Sequence, residues 1–341
     1  MAAFGAALAG CSSGGGGAKA AGQASGTRTP SGSASGAAQS PATASPAAAT
    51  SGASSSSPFA PGSSSAAPKH VPVAPGSSAS GSRPATKLPA YIDSAPVGEP
   101  LAWKASSAGA ESAGDVAAFA ARFDPAAVRF VLHAGSQVPG GSRWPGGDAA
   151  PAEKLVAGWN GGFLMANNGS WGGFYLGGRT AFGPLRTGTA SEVFYQDGSM
   201  DVLAWPGGSP SAEVAGVRQN LALLIDGGKL AANLNEGVAA DEHTWGYTND
   251  SSNVHANRSG VGVTADGKAV YAAVRGASPL QLAQYLQRAG AVRAMELDIN
   301  MSRPIFGTYA GGHWSQPASW LGPAVRFTSG NERDFVVVYA R

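Results

Sequence analysis

Near the C-terminus the stretch Met295-Glu296-Leu297-Asp298-Ile299-Asn300-Met301 alternates without a break between apolar and polar residues. In an extended chain successive side chains point to opposite faces. Met295, Leu297, Ile299 and Met301 therefore fall on one side, and Glu296, Asp298 and Asn300 on the other. Residues two apart on a strand are separated by roughly 6.5 Å along it, so both carboxylates project the same way, within reach of one small substrate group. Two carboxylates and an amide on one face form a candidate site for acid–base or nucleophilic chemistry. The same pattern also fits the solvated face of an edge strand, and the position of the strand decides between the two.

Other polar groups are candidates by context. Asn160-Gly161-Gly162-Phe163-Leu164 follows a predicted strand at Lys154–Trp159, and its paired glycines allow a tight turn or a close approach of backbone to a ligand. Of the histidines His70, His133, His243, His255 and His313, none has zinc-like spacing to another. His255 lies three residues before Arg258, where a polar loop enters a strand. An arginine there is either a surface ion pair or a phosphate-binding cation. The chain has no phosphate loop, no GxSxG elbow, no HExxH and no dinucleotide fingerprint.

The elements around the acidic stretch read as its supports. Lys268–Arg275 predicts a strand, Ser278-Pro279 an N-cap with proline at the first helical position, and Leu280–Ala289 a helix with Leu282, Ala283, Leu286 and Ala289 on one face, closed by Gly290. A strand, helix and strand in this order link parallel strands and leave the end of the second strand, at Asp298–Asn300, on an exposed rim. Hairpins are predicted around Gln196-Asp197-Gly198, Asp226-Gly227-Gly228 and Ala265-Asp266-Gly267. Further strands are predicted at Val128–His133, Gly172–Gly178 and Asp334–Tyr339, and a short Ala-rich helix capped by Asp115 at Asp115–Phe123. The fold class is α+β: a mixed β-sheet rich in hairpins with few helices, preceded by a disordered tether.

That tether covers residues 12–90, built almost wholly of Ala, Ser, Gly, Pro and Thr, with Phe59 its one aromatic residue and no acid. Such a composition buries too little apolar surface to offset its ordering entropy. The aromatic residues concentrate in 91–341, a span long enough for one domain with a substantial core. Five of the 23 Lys and Arg residues, Lys19, Arg28, Lys69, Arg83 and Lys87, belong to the tether, which leaves 18 against 21 Asp and Glu. A mildly acidic domain without a basic, aromatic-rich patch argues against nucleic acid as a partner. The single cysteine, Cys11, rules out an intrachain disulfide and any cysteine-based metal site.

Two resemblances follow from motifs. Leu8-Ala9-Gly10-Cys11, after an apolar run, resembles the lipobox of bacterial lipoprotein signal peptides. It implies a signal segment at 1–11, lipidation of Cys11, and a domain anchored to the outer side of the cell membrane by its tether. The second lies in the order of Asn160-Gly161-Gly162-Phe163, Gln219-Asn220-Leu221 with Leu224–Gly228, Arg258–Gly267, and Gly290-Ala291 through Glu296-Leu297-Asp298. That order, over roughly 152–308, resembles the phosphodiester glycosidase family. The family commonly shows Leu-Asp-Gly-Gly-Gly-Ser where this chain has Leu297-Asp298-Ile299-Asn300-Met301-Ser302, so the aspartate and serine keep their places and the glycines do not.

The resemblance implies an extracytoplasmic hydrolase that cleaves the sugar–phosphate bond of glycosyl-1-phosphate diesters in cell-envelope glycopolymers, with no cofactor. Arg258 would hold the phosphodiester, Asp298 or Glu296 would act as nucleophile or base, Asn160, Gly161, Gly162, Asn220 and Asn300 would bind the sugar, and His255 or His313 would position water or phosphate. Two other readings remain open. One is a non-catalytic polysaccharide-binding lipoprotein that stacks sugars on Trp171, Trp245 and Trp314. The other is a phosphodiesterase holding Ca²⁺ or Mg²⁺ on Glu296, Asp298 and Asn300.

Overall fold

The structure is a computed structural model and describes residues 90–341 apart from 106–108, 116, 140, 142, 145–148, 164–171, 235–244, 246–254, 301–303 and 331–332. The chain divides into two units at Ala60/Pro61, and every described residue belongs to the second. The signal segment with Cys11, the tether up to residue 89, and Trp171 lie outside the described residues.

Strands are labelled in chain order. A nine-stranded sheet runs β1 (Tyr91–Ile92), β13 (Lys229–Ala231), β12 (Leu223–Asp226), β16 (Ala291–Asn300), β14 (Ala256–Thr264), β15 (Ala269–Ala277), β4 (Ala118–Phe123), β3 (Ala110–Gly114), β2 (Lys104–Ala105). A five-stranded sheet runs β10 (Met200–Ala204), β9 (Ala190–Tyr195), β11 (Val214–Gln219), β7 (Phe174–Leu176), β8 (Arg179–Phe182). Another of five runs β18 (His313–Ser315), β17 (Phe306–Ala310), β6 (Leu155–Asn160), β19 (Phe335–Ala340), β5 (Val128–His133). Two helices are described, Pro279–Arg288 and Arg326–Ser329.

Hairpin chemistry accounts for much of this. The three predicted turns join β9 to β10, β12 to β13 and β14 to β15. Gly198, Gly227, Gly228 and Gly267 all take positive φ there, the conformation that favours glycine. The long helix has the predicted start. Ser278 accepts from the Gln281 amide while Gln281 accepts from the Ser278 amide, and Pro279 occupies the first turn. Its buried face, with Leu282, Ala283 and Leu286, covers the large sheet, and Gly290 ends it at φ 96°.

Two expectations are corrected. Between the named strands every pairing is antiparallel, where a mixed sheet was predicted. The helix does join two strands of like direction, β15 and β16, but β14 lies between them and pairs antiparallel with each. The predicted helix at Asp115–Phe123 is instead the turn and second strand of a hairpin, β3 to β4. Asp115 does cap: its Oδ1 accepts from the amides of Ala117 and Ala118, but this closes a turn into β4. Strand β4 pairs with β3 on one edge and β15 on the other, and it is buried along nearly its whole length. In that setting small, apolar Ala side chains fit a packed strand, and tertiary burial overrides their helix propensity.

One core is common to all three sheets. It gathers Val261, Tyr271 and Met295 from the large sheet, Phe174, Phe194 and Val202 from the second, and Phe130, Trp159 and Val336 from the third. Phe123 stacks on Trp159 at 5.7 Å and Tyr271 on Phe306 at 4.9 Å between ring centroids. Complete burial of side chains of this size contributes about 2–3 kcal/mol each.

Candidate active site

Asp298 lies on β16, an interior strand flanked by β12 and β14, and not on an edge. Glu296 is fully buried and Asp298 is 7% exposed, so the solvated-edge alternative and the exposed rim are both replaced by an interior acidic site. The alternation is interrupted by a bulge. Ser259 of β14 faces Asp298 and Gly260 faces Glu296, leaving Leu297 as the extra residue. Asn220 fills the gap on the other side, its Nδ2 donating to the carbonyls of Glu296 at 2.8 Å and Leu297 at 3.1 Å. The next residue, Leu221, is held at φ 58°, a left-handed conformation that costs a non-glycine residue about 1–2 kcal/mol. Backbone strain beside the site thus goes with a device that fixes the two carboxylate-bearing residues.

Glu296 and Asp298 have different surroundings. Arg258 is fully buried and donates through Nη1 to Glu296 Oε1 at 2.6 Å and through Nε to the Ala277 carbonyl at 2.6 Å. Burial pushes the Glu296 carboxyl up, opposed by the charge and hydrogen bond of Arg258. This buried, charge-assisted pair places Arg258 as the partner of Glu296 rather than as an open cation for phosphate. Asp298 faces a partly exposed cation instead. Arg333 Nη1 stands 4.0 Å from its Oδ2, and Arg333 Nη2 donates to the Gly162 carbonyl at 3.0 Å. Burial pushes the Asp298 carboxyl up to about 7, opposed by Arg333 and Arg218 and reinforced by Asp334 and Glu296.

The glycines at Gly161 and Gly162 have a role different from the one expected. A Cβ on Gly161 would sit inside the Asp334 carboxylate, and one on Gly162 would press on the Arg218 guanidinium at 3.0 Å. Their missing side chains admit an internal ion pair. Arg218 donates through Nε to Asp334 Oδ2 at 2.7 Å, through Nη1 to the Gln219 carbonyl and through Nη2 to the Phe163 carbonyl. Asn160 is likewise turned inward: its Oδ1 accepts from the Ile305 amide, and its Nδ2 donates to the Gly161 carbonyl and, at 3.5 Å, to Ser259 Oγ. The site is therefore assembled where three sheets meet, from Asp298 and Ser259 of the first, Arg218 and Glu192 of the second, and Asn160 with the segment Arg333–Asp334 before β19 of the third. The bulge turns Glu296, opposite Gly260, and its partner Arg258 to the helix-covered face of the first sheet, so the two carboxylates do not share one face as the alternation predicts.

Glu192 is directly opposite Arg218 on the neighbouring strand and fully buried, and neither of its oxygens has a partner among the described residues. Burial pushes it up to about 8, opposed by the Trp159 indole and Arg218 and reinforced by Asp334. The indole lies close enough to act on the carboxyl, but Nε1 closes no hydrogen bond. Arg218, Arg333, Asp334 and Glu192 were not singled out from the sequence. The available signal was a lone charge in an otherwise apolar strand, Arg218 in Val214–Gln219 and Glu192 in Ala190–Tyr195.

Other expected residues are elsewhere or differently used. His255 is exposed at the entry to β14. His313 pairs with Ala310 at the far end of β17, whose Phe306 is the residue opposite Trp159, so the register carries His313 away from Asn160. The backbone of Asn300 pairs with Asn257. Trp245 is fully buried and cannot stack on a sugar from solvent, while Trp314 packs edge-on against Tyr309 and Phe327 with Nε1 donating to Thr328. Among the described residues no group of three or more His, Cys, Asp or Glu is placed to hold a metal ion, and Glu296 Oε1 is bonded to Arg258.

Interior carboxylates with raised pKa values, set among buried arginines at a junction of antiparallel sheets, make this a candidate acid–base site. Residues 153–298 match the family model described as phosphodiester glycosidase, a span that runs from just before β6 to Asp298. No curated protein matches the sequence. Among solved structures, the catalytic domain of zebrafish N-acetylglucosamine-1-phosphodiester alpha-N-acetylglucosaminidase, auto-inhibited by its pro-peptide, aligns over 71% of this chain and 87% of its own at 15% identity and a TM-score of 0.42. A hypothetical protein from Synechocystis aligns over 71% of this chain and 61% of its own at 14% identity and a TM-score of 0.36. A putative exported protein from Burkholderia pseudomallei aligns over 65% and 73% at 13% identity and a TM-score of 0.30.

Proposed function

We propose that the domain hydrolyses the bond between sugar C1 and phosphate oxygen in glycosyl-1-phosphate diesters, with Asp298 as the catalytic residue. The observation that carries this is the Asp298 carboxyl, 7% exposed and pushed up to about 7, with the partly exposed guanidinium of Arg333 at 4.0 Å. Its pKa sits where a base operates at neutral pH. The phosphate monoester leaving group is already acidic and needs little protonation, so one carboxylate suffices. Water attacks C1 as its proton passes to Asp298, the C1–O bond breaks, and the phosphate departs with the bonding pair. Arg333 bears the phosphodiester charge. Glu296, Arg258 and Asn220 act through Asp298 by fixing the bulge, and Ser259 lies across from it.

The decisive experiment incubates the protein with UDP-N-acetylglucosamine and a panel of methyl glycosyl phosphates in ¹⁸O-labelled water. Label in the released sugar is expected, and label in phosphate would overturn the reading in favour of P–O cleavage. Asp298→Asn should lower kcat by at least about 10³-fold with the fold intact, the scale of losing a positioned base and its charge. In the wild type kcat/KM should rise as pH increases through about 7, because the base must be ionised. A profile that falls there would make Asp298 an acid instead.

The lipobox-like Leu8–Cys11 and the tether composition support an extracytoplasmic, lipid-anchored setting, with cell-envelope glycopolymers as substrate. Metabolic labelling with an alkynyl fatty acid should mark the full chain and be lost in Cys11→Ser.

A further inference from the structure

A recess that shares no residue with the acidic network lies between β5, the end of β19 and the segment that leads into β6, a cavity of about 560 Å³. Val131 and Tyr339 form apolar wall, and the charged lining is Arg129, Lys154 and Arg341 against the one carboxylate of Glu153. In a domain with fewer basic than acidic residues, this is a local excess of positive charge. Lys154 immediately precedes β6, whose other end is Asn160, so the recess opens roughly 20 Å along the strand from the acidic site. His133 adds no charge, because burial pushes it down to about 4.

Both guanidinium groups have contacts that orient them. The Arg129 guanidinium lies 4.4 Å over the Tyr339 ring, and a guanidinium stacked by its face keeps its N–H edge for an oxyanion. Arg341 donates through Nε to the carbonyls of Pro125 at 2.8 Å and Val128 at 2.9 Å. Lys154 is held at φ 57°, while its carbonyl accepts from the Ala340 amide at 2.8 Å. A non-glycine residue in that conformation is strained, and here it places the Lys154 backbone at the edge of the cavity, with its side chain exposed. The volume exceeds that of a lone phosphate and falls in the roughly 300–1,000 Å³ range of small-ligand sites. It suits an anionic group together with the sugar or polyol that carries it.

We propose that this recess is a second, non-catalytic binding site for the phosphate-bearing repeat of a sugar or polyol chain, gripped by Arg129, Lys154 and Arg341. The choice of phosphate over carboxylate rests on the phosphodiester reading of the Asp298 site. The site would hold a polymer at one position while cleavage occurs at another, raising its effective concentration at Asp298.

Binding is measured by calorimetry on the full chain, in wild type and in Asp298→Asn, with a glycerol-phosphate oligomer, an oligogalacturonate and a dextran of equal length. The phosphate oligomer is expected to bind in both proteins, to weaken with added salt, and to lose at least tenfold in affinity in Arg129→Gln/Lys154→Gln. Lys154→Gly, which removes the ammonium and relieves the positive φ, should keep the thermal midpoint while weakening binding in the same direction. Absence of binding, unchanged affinity in the variants, or equal binding of dextran would overturn the site, and equal binding of oligogalacturonate would overturn phosphate as its anion. Turnover of a small methyl glycosyl phosphate should be unchanged in Arg129→Gln/Lys154→Gln, so a failure of the recess and a failure of the hydrolase reading show in different assays.

Discussion

At the scale of single residues, the interior carboxylates set how stability depends on pH. Glu192 is fully buried without a hydrogen-bond partner among the described residues, and its folded pKa, about 8, lies above the ordinary value of 4.5. The folded state therefore holds this proton while the unfolded chain releases it, so stability falls as pH rises from about 4.5 to about 8. Replacing the carboxyl by an amide removes that dependence. Glu192→Gln should melt with the wild type at pH 5 and above it at pH 8.5. Thermal denaturation at the two pH values checks this, and a gap that is larger at pH 5 would contradict it. Gly161→Ala tests the opposite kind of constraint, since its Cβ would overlap the Asp334 carboxylate and force the Arg218 pair apart. A loss of about 3 kcal/mol or more in chemical denaturation is expected, the scale of breaking a buried ion pair.

At the scale of elements, signals that act over a few residues were legible and those that act across the chain were not. The turns at Asp197-Gly198, Asp226-Gly227 and Asp266-Gly267 specify their hairpins through left-handed backbone, and Ser278 with Gln281 marks a helix start by reciprocal bonds three residues apart. Asp115 gave a true local signal, a cap, but whether helix or strand follows depends on β15 and β3 on either side. The acidic stretch was found through its alternation, but its bulge was not, because the bulge is fixed by β14 and by Asn220, 76 residues away. Arg218 and Asp334 are 116 apart, and nothing in either neighbourhood names the other. Asn220 is the element-level test. Asn220→Ala withdraws the donor from the Glu296 and Leu297 carbonyls and should lower kcat about tenfold or more with KM little changed, since a misplacement of about 1 Å at a catalytic group can cost 10²-fold. Asn220→Asp, which keeps the shape but not the donor, should not rescue it. The capping box should behave more simply: Ser278→Ala is expected to cost about 1 kcal/mol of stability and leave kcat unchanged.

At the scale of the whole molecule, three sheets share both one core and one charge network, and the two have different consequences. The shared core, with Trp159, Phe174 and Tyr271 drawn from different sheets, favours all-or-none unfolding, because no sheet can leave without exposing the others. The network is what ties the sheets in a fixed geometry, since Arg218 of β11 reaches Asp334 before β19 while facing Glu192 on β9. Removing Arg218 alone leaves the buried Asp334 carboxylate without its cation, so Arg218→Met should destabilise by about 3–5 kcal/mol. Asp334→Asn in the same background should recover part of that loss, because the companion charge is then gone as well, and the double-mutant cycle should give a coupling of about 1–3 kcal/mol. Tryptophan fluorescence and far-ultraviolet circular dichroism should report one common denaturant midpoint in each variant, shifted downward in Arg218→Met. Two separated midpoints would mean that the sheets unfold independently and that the core, rather than the arginine, was never shared in energy. Coincident midpoints with lost turnover in Arg218→Met would place the arginine as the residue through which the fold holds Asp298 and Arg333 at their working separation.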